Sequence, residues 1–290
     1  MLEIDCRRVR QSFARVAGDY AGHDFFAREI DQRMQARLDL VKLRPGLIVD
    51  LGCSRGASAE GLRQRYPGAD WLGIDYCTAM LQGAGRGTGG WRRWLPEAMR
   101  RDALFAAADA GQLPVRAASA GLVWSNLLLH WLADPLPVMA EAARVLETGG
   151  LLMFSTLGPD TLKELRGVFD DGYVHTQHFA DMHDLGDMLV HCGFADPVMD
   201  MEVLTLTYSD LPALLAELRA SGSICAMQGR RRGLVGRAAW QRWQARALER
   251  MQDGRLPATF EVIYGHAWKA QPKKLADGSA VVRFMNKPAA

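Results

Sequence analysis

The sequence predicts an α/β fold, a doubly wound and mostly parallel seven-stranded sheet with helices on both faces. Short apolar strands alternate with helical segments from residue 47 to residue 169, as they do in βαβ units. The run Leu151–Phe154 is continuously apolar, which is typical of a strand inside a parallel sheet. Two later segments alternate apolar and polar residues, which indicates antiparallel strands at one edge of the sheet.

The elements follow from these patterns in chain order. Two helices are expected within residues 7–40, where apolar side chains recur at helical spacing. The predicted strands read LIVDL (47–51), WLGID (71–75), LFAAAD (104–109), GLVWSN (121–126), LLMFST (151–156), PVMDMEVLTLTY (197–208) and ATFEVIYGHAW (258–268). The predicted helices cover 57–66, 78–84, 135–147, 160–169, 181–192, 210–220 and 237–252.

This order predicts the domain organisation. Residues 1–45 form an N-terminal helical cap, and residues 46–207 with 257–270 form the sheet domain. Residues 208–256 form a helical insertion before the last strand, and this insertion is expected to bind the substrate and its carrier. Residues 271–290 are a partly ordered tail. The chain therefore combines one large domain with an elaboration.

Composition excludes several classes of protein. The chain has 290 residues, a net charge of +2 and 49% hydrophobic residues, and no apolar run approaches the ~20 residues that span a bilayer. The charged N-terminus lacks the features of a secretory signal, so we expect a cytoplasmic protein. The five cysteines are scattered without a CxxC pair, and the seven histidines show no ligand spacing. Neither disulfides nor a metal are expected.

The turn after the first strand is the first candidate site, because ligands of doubly wound sheets bind beyond the carboxyl ends of the strands. Gly52 and Gly56 allow a tight turn and close approach of the backbone to a ligand, and Asp75 ends the next strand, where an acid can bind ribose hydroxyls. A dinucleotide needs GxGxxG, whereas this loop reads DLGCSRG. Asp50 would repel a phosphate but suits a cationic amino-acid moiety.

The pattern D-x-G-x-x-x-G resembles the first motif of class I S-adenosylmethionine-dependent methyltransferases. The resemblance implies a Rossmann-like methyltransferase fold with S-adenosyl-L-methionine as cofactor. It also implies that Asp109 accepts from the adenine amino group and that Met80 packs against the adenine. The segment WSNLLLHW resembles the fourth motif, which borders the methyl group and brings Asn126 into the candidate cofactor site. Read singly, the aspartates could also be helix caps.

Ser54 departs from this pattern, because glycine is usual at its position. A serine is tolerable there if its φ is negative, and its hydroxyl could then contact the cofactor. The adjacent Arg55 is expected to point away from the pocket. Loss of cofactor binding, leaving a non-catalytic binding module, is the alternative that these two residues raise.

Longer segments resemble the malonyl-acyl-carrier-protein O-methyltransferases of biotin synthesis. They read RRVRQSFARVAGDY near the N-terminus, FSTLGPDTLKELR, RRRGLVGR and LPATFEVIYGHAWK, and the likeness covers roughly residues 7–270. The resemblance implies methylation of the free carboxylate of malonyl-acyl carrier protein, giving the methyl ester that primes pimeloyl synthesis. The alternatives are a respiratory-complex assembly factor with an arginine hydroxylase domain and a methyltransferase of another small acid.

Binding of the substrate carboxylate requires a cationic side chain. A malonyl carboxylate is ionised at neutral pH, so its methylation needs no general base, only alignment and a dry pocket. Arginine binds carboxylates through a planar fork, and we expect at least one of Arg230, Arg231 and Arg232 to do so. A solvated turn is the alternative. Tyr20 matches the family's tyrosine ahead of the first strand and either closes over the methionine end of the cofactor or packs between helices.

A basic surface is predicted nearby. Residues 228–255 carry eight arginines against two acids, and Arg242, Arg246 and Arg250 recur every four residues along one helical face. Acyl carrier proteins are strongly acidic, so the malonyl-loaded carrier is the predicted partner, although a solvated face is the commonest meaning of such a run. No nucleic-acid motif accompanies the arginines, and we expect a monomer that binds neither nucleic acid nor membranes.

Overall fold

The computed structural model describes residues 3–84 and 103–271. Its helices are α1 Cys6–Val16, α2 Phe25–Arg37, α3 Ser58–Arg65, α4 Thr78–Gln82, α5 Leu136–Val145, α6 Met182–His191, α7 Leu211–Ala220 and α8 Arg237–Leu248. Its strands are β1 Leu47–Leu51, β2 Asp70–Asp75, β3 Leu104–Ala107, β4 Ala120–Asn126, β5 Leu146–Leu157, β6 Phe194–Tyr208 and β7 Leu256–Lys269. The predicted tail, 271–290, lies outside the described residues except for its first residue.

The strands form one seven-stranded sheet in the order β3-β2-β1-β4-β5-β7-β6. Strands β1 to β5 run parallel, and β7 pairs antiparallel with both β5 and β6. The predicted fold class is therefore confirmed, including the antiparallel edge. The chain order reverses between β1 and β4, so a crevice opens at the carboxyl ends of these two strands.

Local sequence explains where several helices begin. Helices α1, α6 and α7 each follow an aspartate whose carboxylate accepts a backbone N–H of the first turn, namely Asp5, Asp181 and Asp210. Such caps satisfy donors that have no partner within the helix. Helices α7 and α8 lie between β6 and β7 in the chain, as the insertion was predicted to do. Among the described helices, none combines the length and apolar character that crossing a bilayer requires.

The predicted helix 160–169 is wrong. Only a short 3-10 turn, Lys163–Leu165, forms in this segment, and Leu162 adopts a left-handed φ of 55°. The Leu162 N–H donates to the Thr259 carbonyl of β7 at 2.6 Å, and the Glu164 carboxylate accepts from the Thr259 N–H at 3.0 Å. These bonds to a distant strand replace the hydrogen bonds of a helix, so tertiary contacts override the helical propensity of the segment.

Two apolar layers enclose the sheet. Helix α2 buries Ile30 and Met34 against one face, and the 3-10 turn that follows it buries Leu38 there. Helices α5 and α6 cover the other face, where Met139 and Leu189 are almost fully buried. Both layers end at the carboxyl edge of the parallel strands, which leaves that edge free for a site.

Candidate cofactor and substrate site

A cavity of about 470 Å³ lies at this carboxyl edge. Its wall has two parts. The first, here called the cofactor wall, contains the loop after β1 together with Asp50, Asp75 and Asp109. The second, here called the substrate wall, is mainly apolar and comes from α2, the segment 157–165, the adjoining ends of β6 and β7, and α7. It includes Phe26, Leu162, Leu165, Leu206, Leu215 and Phe260.

Two glycines allow the backbone of the cofactor wall to fold as it does. Gly52 and Gly56 have φ values of 68° and 80°, in the left-handed region that glycine adopts without strain. A Cβ at Gly56 would lie 2.8 Å from the Phe105 ring, and one at Gly52 would lie 3.0 Å from Leu128. Gly52 lines the cavity, whereas Gly56 closes the turn behind it. The positive φ values agree with the predicted tight turn, whereas contact of either glycine with a cofactor stays a prediction.

Asp75 joins the loop to the end of β2. Its carboxylate accepts from the backbone N–H of Ser54 at 2.9 Å and from that of Cys77 at 2.7 Å. Burial raises the pKa of Asp75, and these two donors partly offset the increase. Each carboxylate oxygen keeps a lone pair for a further donor such as a ribose hydroxyl.

Asp50 is almost fully buried in the cofactor wall, and its Oδ2 atom has no hydrogen-bond partner. Burial raises the pKa of Asp50 well above its usual range, and the charges of Asp31 and Asp75 raise it further. A buried polar atom without a partner is costly unless a ligand or water satisfies it. The chemistry of this wall, several acids around an unsatisfied carboxylate oxygen, fits the cationic amino-acid end of S-adenosyl-L-methionine.

Asp31 supports this wall from behind and was missed in the sequence. Its carboxylate accepts from the Ser58 hydroxyl at 2.7 Å, from the Trp124 indole at 3.0 Å and from the Gln35 amide at 2.6 Å. Burial raises the pKa of Asp31, and the three donors partly offset this effect. An acid on the apolar face of α2, beside Ile30, is the signal that could have identified it.

Ser54 differs from the expectation of a negative φ, because its φ is 53°. The residue is therefore strained where glycine would not be, by about 1–2 kcal/mol. Its Oγ atom is buried in the cavity wall and has no hydrogen-bond partner. The Ser54 hydroxyl is nevertheless close enough to the Tyr20 phenol to lower the pKa of that phenol slightly. A ligand hydroxyl or amine is the natural partner for such an atom.

Arg55 was expected to point away from the pocket, but it is part of the cavity wall. Its guanidinium donates to the carbonyl oxygens of Ala17 at 3.1 Å, Gly18 at 3.3 Å and Gly83 at 3.1 Å. Arg55 therefore links the end of α1 to the glycine loop and to the end of α4.

The remaining predicted cofactor residues also lie in the cavity wall. Met80 is buried with 1% exposure, and Asp109 is exposed and accepts from the Gly111 N–H at 2.8 Å. Asn126 donates to the Ala27 carbonyl at 2.8 Å, and its Oδ1 accepts from the Ser155 hydroxyl at 2.7 Å. These two bonds position Asn126 between α2 and β5, so one amide proton is left for a ligand.

Two titratable side chains in the wall have shifted pKa values. Burial, with a smaller effect from Asp24, raises the pKa of Tyr20 to about 12, so its phenol stays protonated and can donate. Burial lowers the pKa of His130 to about 3, so the imidazole is neutral at physiological pH. His130 lies 3.4 Å from the Thr156 hydroxyl through Nδ1. Neither group suits the abstraction of a proton at neutral pH.

The three arginines predicted to bind the substrate carboxylate are not part of the cavity wall. Arg230 forms an ion pair with Asp5 at 2.9 Å, and Arg231 forms one with Asp171 at 3.0 Å. Arg232 is exposed. The loop nevertheless lies near the site, because Val174, which pairs with Arg230 in a β-bridge, directly precedes wall residues.

Comparisons with known proteins agree with this fold. Residues 49–154 match the family model described as a methyltransferase domain. A malonyl-[acyl-carrier protein] O-methyltransferase of Gallionella capsiferriformans is 44% identical over 97% of this chain and 96% of its own length. One of Laribacter hongkongensis is 47% identical over 97% of this chain and 96% of its own length.

Solved structures show the same fold. The YcgJ protein of Bacillus subtilis superimposes with a TM-score of 0.57 at 12% identity, covering 83% of this chain and 99% of its own. A putative methyltransferase of Bacillus halodurans superimposes with a TM-score of 0.55 at 17% identity, covering 82% of this chain and 99% of its own. At these identities the likeness extends to the architecture only.

Proposed function

This chain belongs to the family of malonyl-[acyl-carrier protein] O-methyltransferases, and we propose that it transfers a methyl group from S-adenosyl-L-methionine to the free carboxylate of malonyl-acyl carrier protein. The observation that carries the proposal is the 44–47% identity to family members over nearly the whole chain. This identity reaches beyond the matched methyltransferase domain at 49–154 and includes the substrate wall. The product ester would prime pimeloyl synthesis for biotin.

The cofactor wall would hold S-adenosyl-L-methionine. Asp75 would bind the ribose hydroxyls, Met80 and Asp109 the adenine, and Asp50 with Ser54 the amino-acid end. When bound, the cofactor supplies an electrophilic methyl group on a positively charged sulfur. The acids of this wall support that assignment. No cation of the described residues is close to Asp50, so a cationic ligand would balance its charge.

The protein's part in the reaction is alignment. The malonyl carboxylate is already ionised at neutral pH, so no side chain has to remove a proton before an oxygen attacks. The protonated Tyr20 phenol can donate a hydrogen bond, and the neutral His130 adds no competing charge. The apolar substrate wall excludes water, which strengthens each polar contact that the carboxylate makes.

The acidic carrier would dock on the basic surface formed by Arg232, Arg237 and α8. On the predicted helical face, Arg242 and Arg246 both contact Asp170, at 3.3 and 3.2 Å, which reduces their charge. Arg232, Arg237 and Arg250 are exposed, and no acid of the described residues pairs with them. This unpaired charge supports an acidic partner on the same side of the molecule.

Mass spectrometry of malonyl-acyl carrier protein incubated with the enzyme and S-adenosyl-L-methionine tests the function directly. We expect one methyl group on the malonyl form and none on acetyl-acyl carrier protein, with malonyl-coenzyme A measured alongside. No transfer, with cofactor binding intact by calorimetry, would contradict the proposal and favour either the arginine hydroxylase or another small acid as substrate. No cofactor binding would favour the non-catalytic module.

A further inference from the structure

The cavity wall itself contains arginines, and most of them are engaged. They are Arg10, Arg28, Arg55 and Arg219. The Arg28 guanidinium donates to the Asp24 carboxylate at 2.7 Å, so its charge is already paired. Arg55 donates to the three carbonyl oxygens described above. These two guanidinium groups stabilise the wall and have little capacity left for a ligand.

Arg10 belongs to the nucleoside end of the cavity. Its guanidinium lies over the Tyr76 ring, 4.9 Å from the ring centroid. Tyr76 directly follows Asp75, the acid at the end of β2. Arg10 therefore lies on the side where the ribose and adenine are proposed to bind, away from the apolar substrate wall.

Arg219 differs from the other three. It lies in the last turn of α7 and is exposed, and its side chain contacts no acid, carbonyl group or aromatic ring of the described residues. Glu217 is two positions away on the helix, so the two side chains do not face each other, and the Glu217 carboxylate lies 3.9 Å from His23 Nδ1. Within residues 3–84 and 103–271, Arg219 is thus the wall arginine whose guanidinium contacts no acid, carbonyl group or ring, whereas Arg10 contacts the Tyr76 ring.

Arg219 lies in the cavity wall beside apolar residues of the substrate wall. Leu215, Leu218 and Arg219 all line the cavity, and their spacing of three and four residues places them on one helical face. Leu211 and Leu214 belong to the same apolar stripe of α7, and they are buried in the core. One face of α7 therefore presents two apolar side chains followed by a cation, which suits a chain that ends in a carboxylate.

We propose that Arg219 binds the malonyl carboxylate and selects malonyl over uncharged acyl groups. The proposal rests on the function proposed above and adds the residue that recognises the substrate. A guanidinium can hold one or both carboxylate oxygens in a fixed plane. Once one oxygen is methylated the negative charge is lost, so the neutral ester is held more weakly and leaves.

Substitution of Arg219 gives a specific signature. Arg219→Ala is expected to raise the KM for malonyl-acyl carrier protein about 10- to 100-fold, the usual effect of losing a charge-assisted hydrogen bond. Affinity for S-adenosyl-L-methionine, and inhibition by the methyl ester product, should stay as in the wild type. Arg219→Lys should recover part of the loss, because it keeps the charge without the fork.

Arg15→Ala is the matched control. Arg15 lies in the last turn of α1, so both arginines are exposed side chains near a helix C-terminus, but Arg15 is outside the cavity wall. It should leave the KM unchanged. Equal losses of malonyl and ester binding in Arg219→Ala, or no loss at all, would overturn the proposal.

The sequence-based alternative is tested in the same assay. If Arg219→Ala behaves as the wild type while Arg230→Ala, Arg231→Ala or Arg232→Ala raises the malonyl KM, the carboxylate is bound by the arginine loop. If the wild-type enzyme does not methylate malonyl-acyl carrier protein at all, the proposed function fails, and this outcome is separate from any effect of Arg219.

Discussion

The two walls of the cavity are built in different ways. The cofactor wall uses residues at or just beyond the ends of β1, β2 and β3, so each functional side chain is next in sequence to the strand that positions it. The substrate wall brings together α2, the 157–165 segment, the ends of β6 and β7, and α7. Local sequence therefore determines the first wall, and long-range packing determines the second.

Both walls contain a non-glycine residue in the left-handed conformation, and each is stabilised differently. Ser54 in the cofactor wall has a φ of 53°, and its N–H donates to Asp75 only 21 residues away. Leu162 in the substrate wall has a φ of 55°, and its N–H donates to Thr259 on a strand that follows α8. Such strain persists only where surrounding contacts impose it, and it concentrates at functional sites.

The largest expected effect lies in the cofactor wall. Asp75→Ala removes the acceptor for two backbone N–H groups and the proposed ribose contact. Hydrogen bonds to charged groups contribute about 1.5–3 kcal/mol each, so cofactor affinity should fall about 100-fold or more. Calorimetric titration with S-adenosyl-L-methionine measures this loss. An affinity close to that of the wild type would show that the loop holds its ligand without this acid.

A substitution in the substrate wall should change stability and substrate binding but not cofactor affinity. Glu164→Ala removes the acceptor of the Thr259 N–H, and an unsatisfied buried donor costs about 1–3 kcal/mol. We expect the unfolding midpoint to fall by about 2–6 °C and the malonyl KM to rise several-fold, with cofactor affinity unchanged.

Lys163→Ala is the control for this change. Lys163 is the exposed neighbour, and its ion pair with Asp160 at 3.7 Å contributes little, about 0–1 kcal/mol. Scanning calorimetry and steady-state kinetics separate the two variants. A loss of cofactor affinity in Glu164→Ala would mean that the two walls are coupled rather than independent.

The same difference explains what the sequence could predict. The strands, their mostly parallel arrangement and the positions of the candidate cofactor residues could be predicted from short motifs, because Gly52 follows the end of β1 and Asp75 ends β2. The helix expected at 160–169 failed because Thr259, almost a hundred residues away, provides its hydrogen-bond partners. Asp31 was missed for a similar reason, since Trp124 and Ser58 become its neighbours only in the folded chain.

Proton uptake offers a finer test of the cofactor wall. Burial and the facing acids Asp31 and Asp75 raise the pKa of Asp50 in the free protein. Ionised Asp50 therefore destabilises the fold at high pH. This cost disappears as the pH falls below the pKa that Asp50 has in the unfolded chain. A cationic ligand lowers the raised pKa again, so binding should release protons and should tighten as the pH rises through that pKa.

Calorimetry in two buffers with different ionisation enthalpies measures the release. Asp50→Asn should reduce it and flatten the pH dependence of cofactor affinity. Asp39→Asn, an exposed acid paired with Arg65 outside the cavity, serves as the control and should keep both. Identical proton release in all three proteins would mean that Asp50 does not face the cationic end of the cofactor.

The smallest expected effect concerns Ser54. Ser54→Gly relieves about 1–2 kcal/mol of left-handed strain but adds about 0.5–1 kcal/mol of backbone entropy to the unfolded state, so the cofactor-free protein should gain less than about 1 kcal/mol. Cofactor affinity should fall a few-fold if the buried Oγ contacts the ligand. Asp253→Gly, at a φ of 48° in an exposed turn outside the cavity wall, should change stability alone. Higher stability with lower cofactor affinity, in Ser54→Gly alone, would show that the serine keeps a strained backbone because its hydroxyl binds the cofactor. Equal cofactor affinities in both variants would mean that Ser54 is a strained residue of the loop without a contact to the ligand.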